Sequence, residues 1–131
     1  MKKAKLLFVG GIAAALAAGV LYAQAPGVKR IEIQDHDLSI PGRHVVQARA
    51  EFEPGAAVGR HTHPGEEISY VLEGELTLEV DGQPARVVKA GEPIFIPAGT
   101  VHAARNAGSG KAVVFLTYVV EKGKPVATAV K

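Results

Sequence analysis

Hydrophobic and polar residues alternate along the middle of the chain, and this period of two predicts β-strands. Between positions 44 and 52, one set of alternate residues is mainly apolar and the set between them is polar or charged. The first set is His44, Val46, Ala48, Ala50 and Phe52, and the second includes Gln47, Arg49 and Glu51. Such a stretch predicts a strand with one face in the core and the other toward solvent.

Further strands follow from the same pattern and from turn residues. Leu76, Leu78 and Val80 share one face, and Asp81-Gly82 predicts a two-residue hairpin into a returning strand at 86–90. Residues 67–73 and 94–96 are rich in strand-forming side chains, and the apolar run 112–120 predicts a central strand covered on both faces. Residues 25–42 can add an edge strand, and the polar residues from 122 onward predict a loose tail.

These signals predict an all-β domain. No stretch after Tyr22 has sustained helical periodicity, and strand signals recur about every eight to twelve residues, as in a β-sandwich or β-barrel. A length of 131 residues suits one domain. We divide the chain into a signal peptide at 1–23, an N-terminal edge segment at 24–42, a barrel at 43–121 and a C-terminal tail at 122–131.

The first residues have the layout of a secretory signal peptide, because three lysines precede an apolar run that ends in small residues. Pro26 disfavours cleavage after Ala25 and favours a cut after Ala23, which leaves 131 − 23 = 108 residues. We therefore expect an exported protein, either periplasmic or secreted. An uncleaved membrane anchor is the alternative, although the glycines and alanines of the run make a weak span.

The net positive charge of the whole chain comes from the lysines of the predicted signal peptide. The formal net charge is +2, from 15 basic and 13 acidic residues, and without Lys2, Lys3 and Lys5 it becomes 12 − 13 = −1. A near-neutral domain without a cluster of Lys and Arg lacks the electrostatic footprint of nucleic-acid binding. The chain has no cysteine, which excludes disulfides, thiolate metal sites and cysteine nucleophiles.

Three histidines and one glutamate stand at intervals suited to a metal site. His61 and His63 are two residues apart, so on an extended strand both side chains leave the same face. The Pro64-Gly65 turn can return Glu67 beside them, and His102 can join them if the sheet curls round. Imidazoles with one carboxylate favour a divalent ion, namely Fe, Mn, Ni, Zn or Cu, and an octahedral ion would keep two positions for other ligands.

These residues lie in two blocks that resemble the two motifs of the cupin superfamily. The first block is Gly55, His61, His63, Glu67 and Gly74, and the second is Gly91, Pro97, Gly99, His102 and Asn106. The spacing agrees at every defining position, and the sixteen residues between the blocks match the short gap of small single-domain cupins.

The resemblance implies a single-domain jelly-roll β-barrel that holds one metal ion, bound by His61, His63, Glu67 and His102. It gives Asn106 a structural role. It also implies a homodimer, since cupins often pair through sheet edges and N-terminal strands. Cupins include dioxygenases, isomerases, decarboxylases and binding proteins, so the fold does not fix the activity.

Among these activities we favour a metal-dependent, dioxygenase-like enzyme that acts on a small chelating substrate, such as an enol, a catechol or a hydroxy acid. Glu67 is then also a catalytic candidate, because a carboxylate that can leave the metal can transfer a proton. The alternative is a non-catalytic periplasmic module that holds a metal or a small ligand. A metal-assisted isomerase ranks last, because the acid/base pair of sugar-nucleotide epimerases is not found in the sequence.

The other polar candidates also have purely structural interpretations. Glu66 should face away from Glu67 along a strand, and His36 lies between two aspartates in a surface segment. His44 either points into the barrel mouth or is an ordinary histidine at a strand end. The remaining side chains could contact a substrate or could serve the surface and the core; they are Arg60, Arg105, Tyr70, Phe95, Phe115 and Tyr118.

Overall fold

The computed structural model describes residues 25–131, and the predicted signal peptide at 1–23 lies outside the described residues. The described part forms strands β1 (Val28–Asp37), β2 (Arg43–Phe52), β3 (Ala57–Thr62), β4 (Gly65–Glu73), β5 (Glu75–Val80), β6 (Arg86–Lys89), β7 (Pro93–Ile96), β8 (His102–Arg105), β9 (Ala112–Glu121) and β10 (Thr128–Ala129). In this part of the chain no helix has the length and apolarity needed to cross a membrane.

The strands make two antiparallel sheets of five strands each. The first sheet has the order β1-β2-β9-β4-β7, and the second has the order β10-β3-β8-β5-β6. Their inner faces enclose one continuous core of buried side chains in a jelly-roll arrangement. The predicted all-β fold is confirmed.

Alternation along the central strands builds this core. β2 pairs with β9 from Arg43↔Glu121 to Phe52↔Ala112, without a break in register. The predicted inner residues of β2, from His44 to Phe52, are all buried. Val46 lies opposite Tyr118 of β9, and both are 1% exposed. The sequence pattern therefore assigned the inner face of β2 correctly.

The connection between β5 and β6 is longer than predicted. Residues 81–85 separate the two strands, so the expected two-residue hairpin at Asp81-Gly82 is wrong. The last residues of β5, Glu79 and Val80, pair with β8 instead of β6. Pro84 has no N–H to donate to a ladder, which explains why β6 begins only after it.

The coverage of β9 also differs from the expectation. β9 is central, between β2 and β4; its inner face is fully buried, whereas on its outer face full burial is limited to Val113. Phe115, Thr117 and Val119 on its outer face are half-buried, because no other described element lies across that side of the first sheet. An apolar strand sequence shows that neighbours flank the strand, but it does not show what covers each face.

The C-terminal residues are docked rather than loose, although their sequence is largely polar. Val126 and Ala127 are 3% and 5% exposed. β10 pairs with β3 at the edge of the second sheet, with Thr128 opposite Thr62 and Ala129 opposite His61. Burial of these two apolar side chains at the barrel end supplies the driving force for docking.

Candidate metal centre

Both sheets contribute to a buried cluster of His61, His63, Glu67 and His102, which we call the His–Glu cluster. His61 lies on β3 directly opposite His102, the first residue of β8, in the second sheet. His63 follows the end of β3, and Glu67 comes from β4 in the first sheet. All four side chains are at most 6% exposed.

The three imidazoles converge on one point. Ring centroids are 4.2 Å apart for His61 and His102, 4.9 Å for His61 and His63, and 5.0 Å for His63 and His102. One nitrogen from each ring lies within 4.8 Å of the others. The structure thus brings together the histidines that the sequence placed 41 residues apart, at positions 61 and 102.

A register irregularity in β3 helps to aim His61 inward. Val58 pairs with Ala104 and His61 pairs with His102, so β3 has one residue more than β8 between these pairs. Such a bulge lets residues three apart share a face, and both Val58 and His61 are buried. Alternation alone did not predict this bulge, although Gly59 within it is a residue type that strand bulges favour.

Gly65 permits the close approach that brings Glu67 into the cluster. A Cβ atom at position 65 would collide with the Val119 carbonyl oxygen of β9. Without a side chain there, β4 packs directly against β9 and Glu67 lies opposite Tyr118. The Pro64-Gly65 turn of the sequence is therefore a packing requirement as well as a turn.

Glu67 accepts hydrogen bonds at both carboxylate oxygens. His102 Nε2 lies 3.2 Å from Oε2, and the Ser69 hydroxyl donates to Oε1 at 2.9 Å. Sequence reasoning missed Ser69, although its position two residues after Glu67 on a strand places it on the same face. Ser69 is 4% exposed, so its hydroxyl orients the carboxylate inside the barrel.

The charges of the cluster shift its pKa values in opposite directions. Burial alone raises the pKa of Glu67, but His102 and His63 outweigh burial and hold that pKa well below its ordinary range. Burial, with the neighbouring His102 and His63, lowers the pKa of His61 to about 4. Burial also opposes the charged form of His102, but its hydrogen bond to Glu67 raises the pKa of that imidazole. An anionic carboxylate beside at least one neutral imidazole is thus the favoured state.

The donor set fits a divalent metal ion. Nδ1 of each histidine contacts a backbone carbonyl oxygen: His61 contacts Gly59 at 2.7 Å, His63 contacts Val126 at 2.6 Å and His102 contacts Thr100 at 2.9 Å. Donation from Nδ1 leaves Nε2 of His61 and His63 as the lone-pair nitrogen, which is the arrangement of metal-binding imidazoles. In His102 the Nε2 proton is shared with Glu67 in the metal-free protein, and a metal ion would replace that proton.

One atom of the cluster is left without a hydrogen bond. His63 Nε2 is buried and has no hydrogen-bond partner among the described residues. It lies 3.1 Å from Glu67 Oε2, so when this imidazole is neutral and protonated at Nδ1 two lone pairs face each other. A buried polar atom of this kind is costly unless another group satisfies it, and a metal ion would do so.

A small cavity of about 30 Å³ adjoins the cluster. His61, Glu67 and His102 line one side of it, and the other lining residues are mainly apolar: Phe52, Val58, Leu76, Leu78, Ile94, Ala104, Val114, Leu116 and Tyr118. A volume of this size holds about two water molecules. Any molecule that reaches the cluster through this cavity without displacing side chains is therefore very small.

The other predicted polar residues lie away from the cavity. His44 is buried, and its Nδ1 contacts Asp35 Oδ1 at 2.7 Å. Glu66 is half-buried on the outer face of β4, and His36 is exposed. None of the three lines the cavity beside the cluster.

The two arginines form ion pairs on the protein surface. Arg60 makes a two-pronged pair with Asp81, both contacts at 2.9 Å, and Arg105 lies 3.8 Å from Glu79. All four side chains are at least half exposed. Neither arginine lines the cavity, so the anion-binding interpretation gains no support from their positions.

Of the four aromatic candidates, Tyr118 alone lines the cavity. Its ring centroid is 4.6 Å from that of His63, and the side chain is 1% exposed. Tyr70 and Phe95 lie on the outer face of the first sheet, 45% and 59% exposed. For these two, the expectation of core or pocket positions is wrong, because a strand sequence does not reveal which face is inside.

Asn106 organises the loop beside the barrel. Its Nδ2 donates to the carbonyl oxygens of Phe52 at 3.0 Å and Gly110 at 2.7 Å, and its Oδ1 accepts from the Gly108 amide at 3.0 Å. The side chain is 1% exposed. These contacts tie the loop before β9 to the end of β2, in keeping with a structural role.

Residues 48–120 match the sequence model of the cupin domain. The chain is 32% identical over 84 residues to a germin-like protein of Morus alba, covering 60% of this chain and 40% of that protein. It is 38% identical over 71 residues to the HTH-type transcriptional regulator PuuR of Escherichia coli (strain K12), covering 53% of this chain and 38% of the regulator. The chain thus spans about two fifths of these relatives.

A solved structure is similar as well. The structure of recombinant oxalate oxidase in complex with glycolate superposes with a TM-score of 0.63 and 28% sequence identity, covering 79% of this chain and 55% of the oxidase chain. The likeness therefore extends beyond the two histidine-containing blocks to most of the barrel.

Proposed function

Since this chain belongs to the cupin family, we propose that it is a metal-dependent, dioxygenase-like enzyme that acts on a small chelating substrate. The observation that carries the proposal is a buried group of three imidazoles whose nitrogens lie within 4.8 Å of one another. The Glu67 carboxylate contacts two of these imidazoles, and His63 Nε2 is left without a hydrogen bond. A divalent ion bound there would supply Lewis acidity and a template for substrate.

The chain's own residues would bind the ion, hold the carboxylate in place and exclude water. The three histidines would hold the ion through Nε2, because their Nδ1 atoms contact backbone carbonyls. Glu67 would serve as the fourth ligand or hold a proton at Oε2, the oxygen nearest to His63 and His102. Ser69 would keep the carboxylate in place by its hydrogen bond to Oε1. The apolar residues of the cavity would exclude water from the reacting atoms.

The size of the cavity narrows the substrate class. About 30 Å³ beside the cluster disfavours a catechol ring, and a small hydroxy acid would fit there only if neighbouring side chains move. No arginine or lysine lines the cavity, so an acid would be held through the metal. Glycolate, named in the complex of the similar oxalate oxidase, is such an acid.

Oxygen consumption by the metal-loaded protein tests this proposal. The purified chain would be loaded with Mn(II) or Fe(II) and supplied with a panel of small 2-hydroxy acids, enols and catechols. We expect substrate-dependent oxygen uptake that His61→Ala abolishes and that His36→Ala, at an exposed histidine of β1, leaves unchanged. Turnover that survives His61→Ala contradicts the proposal.

A second candidate function is a non-catalytic module that holds a metal or a small ligand. The similarity to PuuR, a transcriptional regulator by name, supports it, as does the near-complete burial of the cluster. Tight metal binding without oxygen uptake for any member of the panel would favour this module over the enzyme.

We also propose a homodimer formed through the outer face of the first sheet. Ile68 and Phe95 lie opposite each other on β4 and β7, and each is more than half exposed. Tyr70 and Leu72 extend this apolar surface along β4, and surfaces of this kind often mark protein contacts. A concentration-dependent dimer that Phe95→Glu converts to a monomer would support the proposal, and a monomer at all concentrations would contradict it.

Export remains part of the proposal, since the signal peptide predicted at 1–23 would place the barrel outside the cytosol. Fusion of residues 1–23 to a reporter that is active only after export tests this directly. Reporter activity that requires Lys2, Lys3 and the apolar run would support it, and a cytosolic reporter would contradict it.

A further inference from the structure

We propose that the C-terminal segment 122–131 positions His63 in the metal centre. Docking of this segment against the barrel is therefore coupled to metal binding. The inference rests on the proposed metal site, but it does not depend on catalysis. It assigns a positioning role to a segment whose sequence alone predicted a loose tail.

The backbone contacts of the three imidazoles differ in sequence separation: two are local and one is long-range. His61 and His102 each contact the carbonyl oxygen of the residue two positions earlier, Gly59 and Thr100. These contacts are local and form wherever β3 and β8 form. His63 instead contacts the carbonyl oxygen of Val126, 63 residues later in the chain, at 2.6 Å. The orientation of His63 therefore depends on whether the C-terminal segment is docked.

Several contacts hold the segment against the barrel. The Lys122 amide donates to the Gly42 carbonyl oxygen at 2.9 Å, and the Val130 amide donates to the Arg60 carbonyl oxygen at 2.9 Å. Val126 and Ala127 are buried between these points. The segment thus spans from the start of β2 to the edge of β3, directly beside His63.

The same contacts are few enough to open without unfolding the barrel. β10 has only two residues and pairs with one neighbour, β3, at the edge of its sheet. The segment's ion pairs, Lys122 with Asp37 and Lys124 with Glu121, lie on exposed side chains and contribute little stability. Short edge elements of this kind open locally at low free-energy cost.

Metal binding and docking of the C-terminal segment are coupled because the segment orients His63 and can open without unfolding of the barrel. With the segment docked, Nδ1 of His63 is held by Val126 and Nε2 faces Glu67. With the segment undocked, the ring loses that hydrogen bond and can rotate away. A ligand that prefers the docked form must in turn stabilise docking to the same extent. Loss of such an orienting hydrogen bond weakens metal binding by roughly 10–100-fold.

Truncation with metal-affinity measurement tests the coupling. Zn(II) and Co(II) affinities would be measured by competition with a chelator for the full chain, for a chain ending at Lys124, and for a control lacking only Lys131, which is exposed. We expect the Lys124 truncation to bind both ions roughly 10–100-fold more weakly and the control to match the full chain. Equal affinities in the truncated and full chains overturn the inference.

Hydrogen exchange on the full-length chain tests the coupling between docking and metal binding even if the truncated chain does not fold. The reporter is the Val130 amide, which donates to Arg60. We expect Zn(II) to slow its exchange by at least about 10-fold, by the reciprocity of the coupling. The Val46 amide of β2, remote from the segment, reports any general stabilisation. An unchanged rate of Val130 exchange, in a sample where Zn(II) slows exchange of Val46, overturns the inference.

These outcomes are separate from those of the proposed enzyme. A full-length chain that binds Zn(II) tightly, protects Val130 and shows no oxygen uptake removes the enzyme and supports the coupling. Oxygen uptake by a truncated chain with unchanged metal affinity removes the coupling and supports the enzyme. Absence of metal binding by the full-length chain overturns both.

Discussion

His61 and His102 lie directly opposite each other on β3 and β8, with their ring centroids 4.2 Å apart. The antiparallel register of two neighbouring strands therefore sets the spacing of half of the His–Glu cluster. Any change that shifts this register changes the site, whereas His63 and Glu67 depend on the turn that follows β3.

Divalent metal should stabilise the fold. An ion bound only by the native cluster stabilises by about 2.7 kcal/mol at 100 times its Kd, which raises Tm by roughly 10–20 °C for a domain of this size. Thermal unfolding with Zn(II), and then with excess chelator, measures the effect and its reversal. His61→Ala should remove the shift, and His36→Ala should retain it. A shift of equal size in His61→Ala would mean that metal binds elsewhere.

The metal-free protein should lose stability in mild acid. His61 has a pKa of about 4 in the fold against 6.5 ordinarily, so between these values the unfolded chain holds a proton that the native chain lacks. Stability therefore falls as pH decreases from 6.5 to about 4, by up to about 3 kcal/mol. The lowered pKa of Glu67 adds a loss of the same sign below 4.5, its ordinary value.

Urea unfolding in the presence of chelator at a series of pH values measures this dependence. His61→Gln should flatten the slope between pH 6.5 and 4.5. His102 acts in the opposite sense, because its raised pKa stabilises the native state below 6.5 and that contribution is lost as pH rises. A slope that is identical in His61→Gln would assign the acid sensitivity to other groups.

Ser69→Ala should weaken metal binding without preventing folding. The Ser69 hydroxyl donates to Glu67 Oε1 at 2.9 Å, and loss of a contact that orients a ligand raises the metal Kd by roughly 10–100-fold. Chelator competition with Co(II) measures the Kd, and Ser39→Ala on the exposed surface is the matched control. An unchanged Kd in Ser69→Ala would show that the hydroxyl does not orient the carboxylate.

Asn106→Ala should destabilise the barrel by roughly 2–4 kcal/mol, because three hydrogen bonds of a buried side chain are lost. The midpoint of urea unfolding measures the change. Ser109→Ala, at an exposed position of the same loop, should have little effect. Wild-type stability in Asn106→Ala would show that the Asn106 side chain does not stabilise the contact between the loop before β9 and the end of β2.

The proposed export predicts that protein recovered from the periplasm carries substantial Zn or Cu, whichever metal supports activity. A chain exported unfolded acquires its ion outside the cytosol, where Cu and Zn exceed Mn and Fe in intrinsic affinity for nitrogen and oxygen ligands. Elemental analysis after gentle purification measures the content. Stoichiometric Fe or Mn in such a sample would contradict this prediction.

Local sequence patterns determined much of the fold. The alternation from His44 to Phe52 identified the inner face of β2, since strand side chains alternate strictly between faces. The spacing of His61, His63, Glu67 and His102 indicated which side chains gather inside, as the structure places them. These features depend on strand geometry, which is local and therefore visible in the sequence.

Tertiary structure alone decided the features that depend on distant partners. Tyr70, Phe95 and Tyr118 are all aromatic strand residues, but only Tyr118 faces the cavity, because its strand register against β2 and β4 points it inward. The contact between His63 and Val126 joins segments 63 residues apart. Sequence pattern reports the chemistry of each residue and its local periodicity, whereas burial and long-range contact arise only when the two sheets close around a shared core.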